Sequence, residues 1–144
     1  MPRAQVFDRT CRHDVYERNL TPRGPVAGVQ KVEYLEGQTL AEGNRRTITL
    51  TDGSVLEETI LDHVPPSRHR YRWSKGLKGP FALLVRSATG TWDYTEVEGG
   101  TRVDWTYVFE LKSPLAYPFA LPIMPLFRAW QKQALESIRR ELTT

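Results

Sequence analysis

The chain is predicted to be an α+β protein in which an antiparallel β-meander is closed by one long C-terminal helix. Three observations predict this. Alternating apolar and polar runs, separated by turn residues, recur across residues 29–112. Two of these runs, Gly90-Thr91-Trp92-Asp93-Tyr94 and Thr101-Arg102-Val103-Asp104-Trp105-Thr106-Tyr107-Val108-Phe109, carry aromatics at alternate positions and are joined by Glu98-Gly99-Gly100. Last, Phe127, Trp130, Ala134, Ile138 and Leu142 step by three or four residues, which is the apolar stripe of a helix.

In chain order, residues 4–10 read as a short first strand. Residues 11–20 read as a short helix with Asp14 near its start, ended by Thr21-Pro22-Arg23-Gly24-Pro25. Its apolar content is thin: Val15, Tyr16 and Leu20. Residues 29–35 form the next strand, closed by Glu36-Gly37. Residues 45–51 alternate polar side chains with Ile48 and Leu50, and Asp52-Gly53 makes a two-residue hairpin turn into residues 55–63. Val64-Pro65-Pro66-Ser67 interrupts the ladder, because proline has no N–H to donate. Residues 68–74 resume as a strand, and Lys75-Gly76-Leu77-Lys78-Gly79-Pro80 is a loop. Residues 81–96 read as one long strand in which Gly90 marks a bulge or bend. Residues 100–112 are the last strand. The terminal helix starts near Pro122 or Pro125, residues suited to a first turn. Its opposite face carries Arg128, Gln131, Lys132, Glu136, Arg139 and Arg140, so the apolar stripe must pack on the sheet.

The 144 residues read as a single domain, 1–144, long enough to bury roughly two-thirds of the unfolded surface. A net charge of +3 is too small to argue for nucleic acid. Arg68, Arg70, Arg72, Arg139 and Arg140 are interspersed with acidic residues and read as outward solubilising charges, so no nucleic-acid partner is expected. Cys11 is the only cysteine, which excludes disulfides and Cys-based clusters within one chain and fits a reducing cytoplasm. The N-terminal residues lack the apolar core of a signal peptide. The apolar stretch at residues 114–127 carries four prolines and falls short of the ~20 residues a bilayer span needs. It leaves room for shallow peripheral contact with a membrane. His13, His63 and His69 lack metal-ligand spacing, and His63 and His69 are expected to be solvated beside the Pro-Pro turn. No phosphate loop, nucleophile elbow or zinc signature is present, so neither cofactor nor metal is expected. Monomer and homodimer both remain open.

The set of Gly43-Asn44-Arg45-Arg46-Thr47-Ile48-Thr49-Leu50-Thr51-Asp52-Gly53 followed by Glu57-Glu58, Val64-Pro65-Pro66 before Tyr71-Arg72-Trp73, Gly90-Thr91-Trp92, and Gly99-Gly100-Thr101-Arg102-Val103-Asp104-Trp105 resembles the START-like (SRPBCC) superfamily. Within it, the chain is similar to the polyketide cyclase/dehydrase and lipid-transport-like proteins and to the Bet v 1-like proteins. The resemblance runs from about residue 29 to the C-terminus. It implies a helix-grip fold: a bent antiparallel sheet wrapped around the C-terminal helix, with an apolar cavity for a lipid, sterol, polyketide or hormone. The chain departs from the family pattern at its N-terminus, where Asp14-Val15-Tyr16-Glu17-Arg18-Asn19-Leu20 and a Pro/Gly-rich stretch replace a clear helix pair.

Candidate ligand-binding residues follow. Arg46 shares a strand face with Ile48 and Leu50, and Glu58 shares one with Leu56 and Ile60. An inward Arg–Glu pair would hold a ligand carboxylate or carbonyl; the alternative is a structural ion pair or two sheet-edge charges. Tyr71, Trp73, Trp92, Tyr94, Trp105, Tyr107 and Phe109 would form an aromatic wall, with Met124, Phe127 and Trp130 closing it from the helix. The leading functional expectation is binding of a small hydrophobic or amphipathic molecule, lipid- or polyketide-like. The alternatives are a cyclase/dehydratase using Glu58, Arg46 and Tyr71 or Tyr107 for positioning and acid–base work, and a protein- or membrane-interaction module without a small ligand.

Overall fold

Six antiparallel strands follow one another in chain order across a single sheet in the computed structural model, which describes residues 1–35, 40–76 and 80–143. They are β1 (Val29–Tyr34), β2 (Arg45–Leu50), β3 (Val55–Val64), β4 (Arg68–Lys75), β5 (Val85–Val97) and β6 (Gly100–Leu111). The expected turn at Glu36-Gly37 and residues 77–79 of the expected loop lie outside the described residues. Register irregularities in β1, β3 and β5 interrupt the ladders, and such bulges bend a sheet and raise its twist.

The long helix is α5, Met124–Leu142, with Pro125 in its first turn and Arg139 and Arg140 in its last, where cations complement the helix dipole. Trp130, Ala134 and Ile138 are buried along the predicted stripe, with Phe127 and Leu142 packed at the edge of the core. The helix is tied down at both ends. Trp130 Nε1 donates to Thr21 O at 2.9 Å, Ser137 Oγ donates to Asn19 Oδ1 at 2.6 Å, and Arg18 pairs with Glu141 at 2.7 Å.

The N-terminus departs from expectation. Residues 4–10 are helical, not a strand, within α1 (Arg3–Thr10). Val6, Phe7 and Thr10 are its buried residues, a spacing of one helical face, and the Pro2 carbonyl accepts from the Gln5 and Val6 N–H groups. The predicted helix at 11–20 is α2, His13–Asn19, which lies against β1 and α5. Residues 80–84 also differ, since Pro80–Leu84 forms a single helical turn, α3, before β5 begins. Between β6 and α5 the Pro-rich segment forms a 3-10 turn (Pro114–Ala116), a short helix α4 (Tyr117–Ala120) and a second 3-10 turn (Leu121–Ile123). Among the described residues no helix is long and apolar enough to cross a membrane.

Two local details position the site. The β2–β3 loop is Thr51-Asp52-Gly53, one residue longer than predicted. Leu50 N donates to Ser54 O at 2.8 Å, Asp52 Oδ1 accepts from Ser54 N at 2.9 Å, and Gly53 sits at φ 89°. This loop puts Arg46 directly opposite Glu58. Second, Gly90 marks no bulge: it pairs regularly with Tyr71 and Tyr107. It is required by a close approach, because a Cβ there would stand 2.5 Å from Tyr71 Cζ and 2.6 Å from the Tyr71 hydroxyl.

Candidate functional site: a cavity between sheet and helix

The concave face of the sheet and α5 enclose a cavity of ≈ 390 Å³. Aliphatic side chains of β1, β2 and β3, among them Val32, Ile48, Leu50 and Leu56, form most of one wall. Tyr71, Trp73 and Tyr107 continue the wall, and Phe127 and Trp130 close it from the helix. Exposed Pro25 and Asp52 and the half-buried Ile123 also border the cavity, which puts its mouth among the 22–28 loop, the β2–β3 turn and the start of α5.

Two charged groups stand in this apolar setting. Arg46 and Glu58 are buried, with side-chain exposures of 1% and 4%. Arg46 Nη2 and Nε donate to Glu58 Oε1 at 2.7 and 3.1 Å. Among the described residues Glu58 Oε2 receives no hydrogen bond. The guanidinium carbon lies 5.7 Å from the ring centroids of both Tyr16 and Tyr71, within cation–π range. Nη1 faces His13 Nε2 at 3.4 Å. Burial works to lower the Arg46 pKa, but the Glu58 carboxylate outweighs it and holds the guanidinium above its ordinary value. Burial pushes the Glu58 carboxyl up, with Arg46 acting against that push. His13 is lowered to about 4 by burial and by Arg46, so it faces the guanidinium as a neutral acceptor.

A hydrogen-bond chain leads from the core into the cavity. Trp105 Nε1 and Trp92 Nε1 both donate to the Tyr71 hydroxyl oxygen, at 3.1 and 3.4 Å. A phenol oxygen that accepts twice has its own proton left to give. The Tyr107 hydroxyl, 3.0 Å away, is the acceptor for it. Tyr107, which lines the cavity, then keeps its own proton to give. Burial pushes Tyr71 up to about 12 and Tyr107 well above its ordinary value, so both phenols stay protonated and serve as donors.

Of the sequence-predicted residues, Arg46, Glu58, Tyr71, Trp73, Tyr107, Phe127 and Trp130 border the cavity. Trp92, Tyr94, Trp105, Phe109 and Met124 do not. Trp92 and Tyr94 share the inward face, but their end of the sheet is filled by the N-terminal helices: Tyr16 covers Trp92 at 5.9 Å between ring centroids and Phe7 covers Tyr94 at 4.9 Å. Trp105 stacks on Trp92 at 4.5 Å and is capped by Trp130. Phe109 is enclosed by Trp73, Tyr107 and Phe127. At the start of α5 the cavity is bordered by Ile123 in place of the half-buried Met124.

Tyr16 is a lining residue that sequence reasoning missed; it sat unremarked in the short apolar set of α2. His63 and His69 also differ from expectation. His69 is wholly buried and His63 half-buried, with their Nδ1 atoms 3.3 Å apart. On the outer face Arg68, Arg70 and Arg72 pair with Asp93, Asp62 and Glu110 at 2.8, 2.7 and 3.3 Å, which spends them on local ion pairs.

Residues 15–143 match the family model described as polyketide cyclase / dehydrase and lipid transport. No curated protein sequence matches the chain. Among solved structures, the chain is similar to protein MLL2253 from Mesorhizobium loti, with 20% identity, 94% of this chain and 89% of that chain covered, and a TM-score of 0.59. It is similar to the major latex-like protein 151 of Panax ginseng, with 16% identity, coverage of 90% and 78%, and a TM-score of 0.52. It also resembles the di-domain ARO/CYC BexL from the BE-7585A biosynthetic pathway, at 20% identity and a TM-score of 0.56, covering 95% of this chain and 46% of that one. At these identities the shared property is the fold.

Proposed function

The chain belongs to the polyketide cyclase/dehydrase and lipid transport family, a START-like helix-grip family, and from that premise we propose that it holds one small amphipathic molecule in the cavity under α5. The observation that carries this reading is a ≈ 390 Å³ apolar cavity with three polar groups converging in it: the Arg46 guanidinium, the Glu58 carboxylate and the Tyr107 hydroxyl. Such a volume lies at the small end of the range for drug-sized ligands, about 300–1,000 Å³. It suits a molecule of a few fused rings or a single short chain. The ligand's apolar body would rest on Ile48, Leu56, Phe127 and Trp130, and an oxygen at one end would accept from Tyr107 or Arg46. An acceptor-bearing ligand is favoured because a buried donor left unpaired costs about 1–3 kcal/mol.

Calorimetric titration with a fused-ring phenolic ketone and with a single-chain fatty acid tests the proposal. One-to-one binding with a negative heat-capacity change supports it. Absence of binding by either class, with the protein folded, contradicts it.

The free Oε2 of Glu58 favours a second reading, cyclase/dehydratase chemistry. Glu58 would take a proton from the carbon next to a substrate carbonyl, while Tyr107 and Arg46 hold the oxygen on which charge develops. The proton returns to the departing hydroxyl, which leaves as water. If turnover of a poly-β-ketone substrate survives Glu58→Gln unchanged, this chemistry is not what Glu58 does. An interaction module without a ligand is disfavoured. Leu115, Tyr117, Phe119, Leu121 and Leu126 are exposed, but Ile123 and Phe127 of the same stretch of chain border the cavity.

A further inference from the structure

Three side chains with metal-ligand chemistry meet away from the cavity, where α1 ends against the β3–β4 hairpin. Cys11 follows α1 directly, and His63 and His69 stand opposite one another in the β3–β4 ladder. One ligand atom from each, the thiol sulfur and a ring nitrogen of each histidine, lies within 4.8 Å of the other two. We infer that Cys11, His63 and His69 form a binding site for a single soft d10 cation, Cu(I) in preference to Zn(II).

The geometry fits. Two nitrogens bound to one metal at about 2.0–2.1 Å in a tetrahedral arrangement stand roughly 3.3 Å apart. The two Nδ1 atoms are 3.3 Å apart. A sulfur at about 2.3 Å from the same metal would be roughly 3.5 Å from each nitrogen, and the thiol sulfur lies within 4.8 Å of its ring-nitrogen partners. Without an ion the contact between the two Nδ1 atoms holds one proton, which a cation bound by both nitrogens would displace.

The chemistry fits as well. A soft cation takes neutral imidazole and thiolate as ligands, and the thiol gives up its proton as the ion enters. Charge then ranks the ions. Cu(I) with one thiolate and two neutral imidazoles is uncharged, whereas Zn(II) with the same ligands leaves a net positive charge to be buried. The half-buried His63, next to the exposed Val64 and Pro65, offers a way in from solvent. None of the three residues borders the cavity, so the inference stands apart from the ligand proposal.

The test titrates the reduced full-length protein with Cu(I) against a chromophoric Cu(I) chelator, and with Zn(II) against a zinc dye. Wild type is compared with Cys11→Ser and with His63→Gln, the latter altering the least buried ligand. The expected result is one ion per chain, with affinity reduced by at least about tenfold in each variant and Cys11 protected from alkylation when the ion is present. Zn(II) bound more weakly than Cu(I), with the same dependence on the variants, also supports the site; Zn(II) bound more tightly than Cu(I) overturns the preference. Binding that does not saturate at one ion, or that is equal in wild type and both variants, overturns the inference. So does a Cys11 alkylated at the same rate with and without the ion. If Cys11→Ser fails to fold, His63→Gln and the alkylation rate decide.

Discussion

Replacing Glu58 alone, and then Glu58 together with Arg46, separates the two things this ion pair does. In Glu58→Leu the guanidinium keeps its charge, because nothing in its surroundings lowers its pKa enough to remove the proton, and it sits at 1% side-chain exposure without a counter-ion. Breaking a buried pair from one side costs about 3–5 kcal/mol. The adjoining cavity admits water to the Arg46 side, so the loss falls at the lower end, about 3 kcal/mol. With a urea m-value of about 1–3 kcal/mol/M, that lowers the midpoint by roughly 1–3 M. In Arg46→Met/Glu58→Leu no charge is left behind, and the pair's own desolvation cost is removed as well. The double variant should match wild type or exceed it by about 1–4 kcal/mol. It should also have lost the polar end of the cavity and bind an acceptor-bearing ligand poorly. Urea denaturation of the four proteins in the cycle, with m checked for constancy, reads the stability side. A Glu58→Leu cost under about 1 kcal/mol, or a double variant no more stable than the single, would refute the view of a costly pair kept for what it holds.

Further outcomes follow from the same geometry. Gly90→Ala drives a Cβ into the Tyr71 ring; it should cost about 1–3 kcal/mol and shift the indole N–H resonances of Trp92 and Trp105, whose shared acceptor moves. Unchanged indole resonances would show that the Tyr71 hydroxyl is not that acceptor. His69 and His13 are held to about 2 and about 4 in the folded chain against an ordinary 6.5. Below about pH 6.5 the unfolded chain therefore binds protons that the folded chain does not, and stability falls as pH falls. For His69 the slope approaches about 1.4 kcal/mol per pH unit; a flat stability between pH 7 and 5 would contradict it. Tyr107→Phe removes the phenolic proton and should weaken a carbonyl-bearing ligand by about tenfold while leaving an alkane-only ligand unaffected. Equal loss for both would mean that Tyr107 acts through shape alone.

The sheet and the terminal helix were legible because each rests on a long periodic pattern, and the side chains facing inward on β2, on β3 as far as Ile60 and on β6 follow from strict alternation. The opposition of Arg46 and Glu58 was legible in outline only. A two-residue loop would set Arg46 across from Thr59; the three-residue Thr51-Asp52-Gly53 loop sets it across from Glu58. His63 was hidden by a bulge. Alternation from Leu56, Glu58 and Ile60 points Asp62 inward, but one extra residue between Ile60 and Asp62 in the β3–β4 ladder reverses the faces, so Asp62 pairs outward with Arg70 and His63 meets His69. Seven residues were too few to tell helix from strand at 4–10, where Val6 fits either period. Which inward aromatics border open space is not a property of the strand pattern at all. Trp92 and Tyr94 are excluded because α1 and α2 cover that end of the sheet, a tertiary fact.

The most direct test of the account is native mass spectrometry of the protein purified from its own host, wild type beside Leu50→Trp. Leu50 borders the cavity and is only partly buried, so a Trp there fills space while the fold is retained. The account predicts that wild type carries one small organic molecule per chain and that folded Leu50→Trp carries none. The same mass on both proteins, or a wild type with no bound molecule that also takes up none of the ring or chain probes, would contradict it.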